Sequence, residues 1–226
     1  MTKKRKGGEI YVAIPKDRVP DLNILKLIIQ NMGFNVKENK GRPVLEKGEG
    51  VITKDVGIPL LLDFCCKRDA AFGGDSFEII LQFLKLQLDS SEPKEHYPLL
   101  LCVLQDLTAP LREDRIFKKK RKRIVDEIGT RLIEILKEEN CHNLYLILYA
   151  FSNIKTTEYV ESVLELTKDK NYNELRGPIV VYFKSIIKDK KFWIPSEIIQ
   201  RISQTKDKQE KNNLQDLYAQ IAGDII

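Results

Sequence analysis

The sequence predicts a mainly helical protein built from stacked helix pairs, with a small α/β cap at its N-terminus. From Asp75 onward, apolar residues recur at helical spacing in segments that are separated by short polar breaks. Most of these segments hold more apolar positions than one exposed face can use, which is typical of helices packed on both sides. The first 57 residues lack this pattern. We therefore expect a basic N-terminal tail and α/β cap over residues 1–57, and a helical-repeat domain over residues 58–226.

The cap is expected to contain one helix and several short strands. Residues 9–14 are rich in β-branched and aromatic side chains and stop at a proline, which indicates a strand. Residues 21–32 place leucine and isoleucine on one helical face, with Asp21 as the N-cap and Gly33 as the stop. Residues 34–37 and 50–53 are predicted to form two further strands around a loop.

The helical domain is expected to open with a short apolar helix that starts at Pro59 and ends near residue 67. Pro178 should lie in the first turn of its own helix, because proline lacks a backbone donor and clashes with the preceding turn, so that helix is expected to begin near Gly177. The other predicted helices cover residues 77–89, 95–107, 119–139, 141–154, 156–168, 195–205 and 208–222.

A resemblance to a known repeat begins within this helical series. Residues 163–169 combine an apolar helix end with an aspartate-bearing turn, and residues 173–176 open the next helix with an aliphatic–arginine step. This pattern resembles the HEAT-type helical repeat over about residues 75–222. The resemblance implies an α-solenoid of antiparallel helix pairs. It also implies structural roles for Asp169 and Arg176, which would tie the turn to the second helix and to the neighbouring repeat.

Composition argues against a membrane protein or a secreted one. The longest uninterrupted apolar run, residues 144–151, is eight residues long, whereas a membrane-spanning helix needs about 20. The basic N-terminus is followed by too short an apolar segment for a signal peptide. We expect a cytoplasmic protein, or a nuclear one if the host is eukaryotic.

No pattern in the chain indicates an enzyme, a metal site or a cofactor site. The four cysteines lie in or beside apolar stretches without CxxC spacing, so they are expected to be reduced and buried. The two histidines, His96 and His142, have no suitably spaced partner for catalysis or metal binding. The cysteines are Cys65, Cys66, Cys102 and Cys141.

Six consecutive cations are the strongest local signal, and they begin the helix predicted over residues 119–139. Such a run is compatible with a solvated face, with binding to nucleic acid or another polyanion, or with a nuclear-import signal. Cations at a helix N-terminus oppose the macrodipole, so helix stability does not explain their placement. The run consists of Lys118, Lys119, Lys120, Arg121, Lys122 and Arg123.

These observations predict a non-catalytic intracellular protein-binding module that acts as an adaptor, an assembly subunit or an inhibitor. Its partner would lie on the concave face lined by the second helices of successive pairs, because stacked repeats curve and expose that face. The alternative is nucleic-acid or other polyanion binding through residues 118–123.

Overall fold

The protein is mainly helical. The computed structural model describes residues 2–4, 10–12, 22–66, 74–89, 94–109, 118–137, 141–187 and 193–223. Within these residues there are two two-stranded antiparallel sheets and ten α-helices. The strands are β1 (Thr2–Lys4), β2 (Ile10–Val12), β3 (Phe34–Asn39) and β4 (Arg42–Lys47). The helices are α1 (Leu22–Asn31), α2 (Lys54–Cys66), α3 (Gly74–Leu88), α4 (Tyr97–Thr108), α5 (Lys118–Leu136), α6 (Cys141–Ile154), α7 (Val160–Glu165), α8 (Tyr172–Ile187), α9 (Trp193–Gln204) and α10 (Lys208–Ala222).

The chain divides into two compact units, Met1–Gln82 and Phe83–Ile226, and the division falls within α3. The domain boundary predicted after residue 57 stays a prediction. The predicted basic tail overlaps β1, and residues 5–9 of that tail lie outside the described residues.

The first unit has its core between α1, α2 and the β3–β4 hairpin. Leu25 and Ile29 of α1 are fully buried, and α1 packs on both α2 and β3. Gly57 of α2 lies where Met32 packs, so a larger residue there would overlap the methionine side chain. Gln82 holds β4 through its side-chain amide, which accepts from the Leu45 N–H at 2.9 Å and donates to the Pro43 carbonyl at 2.7 Å.

The hairpin corrects one prediction. The second strand is Arg42–Lys47, whereas residues 50–53, predicted as a strand, belong to none. The reason is the turn at Lys40 and Gly41, whose φ angles of 51° and 74° give the two-residue loop that joins a pair of twisted strands most readily. Pro43 is tolerated because both strands of a two-stranded sheet are edge strands.

Two proline-based predictions are wrong. Helix α2 begins at Lys54, five residues before Pro59, and α8 begins at Tyr172, six residues before Pro178. Each proline costs one backbone hydrogen bond in the helix interior. Burial on the N-terminal side of the proline compensates for that loss in α8, where Tyr172 and Leu175 are almost fully buried.

The remaining predicted helices are confirmed to within a few residues at each end, with one exception. Of residues 156–168, only Val160–Glu165 is α-helical, and Leu166–Lys168 tightens into a 3₁₀ turn. Lys155, the residue that follows α6, has a φ of 55°, which breaks the helical path before α7.

In the second unit, four helices contact one another in series, and two further helices pack on members of that series. Helix α4 packs on α6, α6 on α8, and α8 on α10, while α5 packs on α6 and α9 on α10. A buried hydrogen bond from Asn153 Nδ2 to Thr108 Oγ1, 3.3 Å long, joins the C-terminal ends of α6 and α4. The rings of Phe151 of α6 and Tyr182 of α8 are tilted relative to each other, with their centroids 6.2 Å apart.

Candidate functional site

Two tyrosines mark the exposed side of α6. Tyr145 and Tyr149 are one helical turn apart, their ring centroids are separated by 4.9 Å, and their hydroxyl oxygens are 3.3 Å from each other. Tyr145 is 42% exposed, and most other residues of the helix are buried against α4, α5 and α8. Tyr149 is half-buried, so the aromatic pair lies at the surface of a helix that packs against three others. The sequence alone does not reveal this pair, because both residues belong to a strongly apolar helix.

The structure divides the six-residue basic run into two sets. Lys118, Lys119 and Lys122 are exposed, whereas Lys120, Arg121 and Arg123 are half-buried. The run forms the first turns of α5, and no acidic residue lies in the first turn of that helix. Arg123 makes a salt bridge to Glu127 on the next turn. The outward set thus consists of lysines alone.

Arg131 of α5 ties three helices together. Its Nε donates to the Leu88 carbonyl at the end of α3 at 2.8 Å, its Nη1 donates to Glu134 at 2.8 Å, and its Nη2 donates to the Tyr97 hydroxyl at 2.6 Å. The guanidinium carbon also lies 5.8 Å from the centroid of the Tyr97 ring. A C-terminal carbonyl that has no partner inside its own helix is satisfied in this way. The arrangement is structural.

Arg201 of α9 likewise connects three helices, α7, α9 and α10. Its guanidinium contacts Glu161 and Glu165 of α7 and, at 3.2 Å from Nε, Glu210 of α10. Glu210 is 5% exposed. Its second carboxylate oxygen accepts from the Thr205 hydroxyl at 2.5 Å. The charge of this buried carboxylate is therefore compensated by Arg201 and one hydroxyl.

Asp169 and Arg176, predicted as repeat-structural residues, are both involved in local structure. The Asp169 carboxylate accepts from the Asn171 N–H at 2.7 Å, which closes the turn before α8. Arg176 Nη1 lies 3.5 Å from the Asp216 carboxylate on α10. The two residues do not contact a common partner in these bonds. Their assignment to a repeat stays a prediction.

A cleft of about 560 Å³ lies between the C-terminal end of α5 and α7 with its 3₁₀ turn. Its charged lining residues include Glu161, Glu165 and Lys168, and the two glutamates already bind Arg201. Burial raises the pKa of Glu165, but hydrogen bonds from Lys168 and Arg201 and their charges outweigh burial and hold this pKa below its usual value. A carboxyl group of that kind is a poor general acid at neutral pH.

The thiols differ from one another in exposure. Cys65 is buried, Cys102 is half-buried and Cys66 is exposed, so the prediction that all the cysteines are buried is wrong for Cys66. Adjacent helical positions point about 100° apart, which prevents both residues of the pair from facing the core. The side chains of Cys141 and His142 lie outside the described part of the structure.

The described residues contain neither a cluster of metal ligands nor a helix suited to crossing a membrane. No group of three or more histidine, cysteine, aspartate or glutamate side chains in these residues could hold a metal ion. No described helix combines the length and the apolar character that crossing a membrane requires.

No protein-family model matches the chain, and comparisons with curated proteins and with solved structures return no match either. The function must be inferred from the arrangement of the side chains.

Proposed function

We propose that the second unit is a HEAT-like α-solenoid that binds another protein through the exposed side of its second helices, without catalysis. The proposed pairs are α3–α4, α5–α6, α7–α8 and α9–α10, of which α5–α6 and α9–α10 pack directly on each other. The observation that carries the proposal is the succession of contacts along the second helices, from α4 to α6 to α8 to α10. In a solenoid each repeat contacts its neighbours in this way, and the second helices line one continuous face.

The direction of the helices supports the same architecture. Tyr172 at the start of α8 donates to the Asn213 carbonyl of α10 at 3.1 Å. One turn further along α8, Arg176 reaches Asp216, which lies about one turn beyond Asn213 on α10. These contacts advance in the same sense along both helices, as a parallel arrangement of α8 and α10 requires, and the Tyr172 hydroxyl also reaches the Asp216 carboxylate at 3.4 Å. Equivalent helices of successive repeats are parallel in a solenoid.

The first helices are also linked in succession. Arg131 connects α5 to the end of α3, and Arg201 connects α9 to α7. Each arginine lies in the C-terminal half of the first helix of its pair and reaches back to the first helix of the preceding pair. These links join α3 to α5 and α7 to α9, as neighbouring first helices of a repeat array are joined.

We place Tyr145 and Tyr149 at the centre of the binding face. Tyrosine is enriched among the residues that dominate binding energy, because its large ring is rigid and its hydroxyl can still form hydrogen bonds. Helix α6 is also an inner member of the second-helix series, so a partner could extend onto both α4 and α8. The expected partner is a protein of the same compartment, which we expect to be the cytoplasm.

A photo-crosslinking experiment tests this proposal. A photoreactive amino acid at position 145 in the full chain should capture a defined partner from extracts of the source cells, and the same group at Ile199, 50% exposed on the first helix α9, should not. With the purified partner, Tyr145→Ser/Tyr149→Ser should weaken binding at least about tenfold, as expected for central interface residues. Ile199→Ser is the matched control and should change the affinity little. Equal binding by both variants would refute the proposed face.

A further inference from the structure

We infer that the first two turns of α5 bind the sugar–phosphate backbone of nucleic acid through Lys118, Lys119 and Lys122. This site is separate from the proposed second-helix face and does not depend on it. The three ammonium groups belong to exposed side chains on one helix. Residues 118 and 122 are one helical turn apart, about 6 Å along the axis, so the three cations are concentrated on one short surface.

The surrounding charges favour an anionic ligand. The N-terminus of a helix carries a partial positive charge, and α5 has no acidic residue in its first turn to offset it. The lysines add to this potential. In the protein alone these like charges repel one another, whereas bound phosphates add attractive interactions that offset this repulsion.

The character of the face distinguishes nucleic acid from a lipid surface. The exposed residues that follow on the same side of α5 are Asp126, Thr130 and Glu134, which are all polar, and the two acidic ones confine the anion-binding surface to the first two turns. A helix that lies on a membrane inserts an apolar face. The apolar face of α5, which includes Ile124, Ile128 and Leu132, is buried in the protein.

The choice of side chain also fits a backbone contact. Lysine presents a flexible point charge, whereas arginine offers a fixed, forked geometry that suits carboxylates, phosphates and base edges alike. The outward set contains lysine only, and the two arginines of the run are half-buried. Binding is therefore expected to depend on charge density and not on base sequence.

Salt-dependent binding of the full-length chain to a labelled mixed-sequence DNA duplex tests the inference. If the three lysines each neutralise one phosphate, they contribute about 2.7 to the slope of log affinity against log salt, which corresponds to about a 40-fold loss between 50 and 200 mM salt. Lys118→Gln/Lys119→Gln/Lys122→Gln should lose this contribution. The three arginine replacements at the same positions should retain it.

The chain offers a matched control. Lys206, Lys208 and Lys211 are also exposed, and their replacement by glutamine removes the same net charge elsewhere in the second unit. The control variant should keep the wild-type slope. Equal losses in the two glutamine variants, or no duplex binding by the wild type at about 50 mM salt, would overturn the inference. So would equally effective displacement of the duplex by poly-glutamate at the same charge concentration, because it would indicate an acidic protein partner.

Discussion

Gly129 and Tyr159 illustrate how single residues set the packing between α5 and the start of α7. A Cβ atom at Gly129 would lie 2.6 Å from the Tyr159 hydroxyl oxygen, a distance that real side chains do not adopt. The tyrosine cannot easily move, because it is 1% exposed and its ring stacks on Phe151 with a centroid separation of 3.9 Å. Among the described residues its hydroxyl has no hydrogen-bond partner.

This geometry predicts that the effect of Gly129→Ala on stability changes sign with the residue at position 159. Alanine is favoured over glycine within a helix by about 1 kcal/mol, but overpacking against Tyr159 costs about 1–3 kcal/mol. Gly129→Ala should therefore lower, or at best not raise, the free energy of unfolding of the wild type. In the Tyr159→Phe background, where the hydroxyl is gone, it should raise that free energy by up to about 1 kcal/mol.

Chemical denaturation of the four proteins of this double-mutant cycle measures the coupling directly. Tyr159→Phe alone should leave stability unchanged or increase it, because it removes a buried hydroxyl that has no partner in the described residues. Additive effects of the two substitutions would show that the two side chains do not compete for the same space.

Arg201 of α9 forms ion pairs to both α7 and α10, so electrostatic interactions contribute to holding these three helices together. Removing one member of a buried ion pair leaves the other charge uncompensated, which costs about 3 kcal/mol. Arg201→Gln should have an effect of this size at pH 7, because Glu210 is 5% exposed. Lys37→Gln, which breaks the exposed pair with Glu46 on the hairpin, should cost less than about 0.5 kcal/mol.

The stability of the Arg201→Gln variant should also show a characteristic dependence on pH. The pKa of Glu165 is below its ordinary value of 4.5 in the folded protein. A lowered carboxyl pKa contributes stability above the unfolded-state pKa, and this contribution is lost as the pH falls through the folded-state pKa. The difference in unfolding free energy between wild type and Arg201→Gln should therefore shrink below pH 4.5. Urea titrations between neutral and acidic pH measure this difference in unfolding free energy. A difference that stays constant with pH would contradict the role of Glu165.

Across the whole molecule, the sequence predicts the elements whose signal is local. The prediction fails where contacts between residues far apart along the chain determine the structure. The helix of residues 141–154 was predicted with its observed bounds because its apolar periodicity is strong. The misplaced strand is an exception, because the Lys40–Gly41 turn that fixes its position is a local feature. Tertiary burial overrode the proline signal in α8. The partners of Arg131 and Arg201 include residues about 40 positions away along the chain, and no local pattern reveals such pairings.

The solenoid proposal predicts how the second unit responds to loss of its last pair. In a repeat array each pair contacts only its neighbours, so removing a terminal pair lowers stability without unfolding the rest. A chain that ends after Ile187 lacks α9 and α10, which contain 12 and 15 residues. It should keep helices α4 to α8, and its circular dichroism should fall by about the contribution of the two missing helices.

A chain that ends after Thr205 is the informative comparison, because it keeps α9 without its partner α10. Ile194 and Ile198 of α9 are fully buried in the intact protein, and α9 packs mainly on α10. Without that helix, α9 should lose protection, so hydrogen exchange should be fast over residues 193–205 and remain slow in α6 and α8. If both truncated chains lost all protection, the second unit would be a single cooperative core and not an array of pairs, because a shared core cannot lose one layer and keep the others.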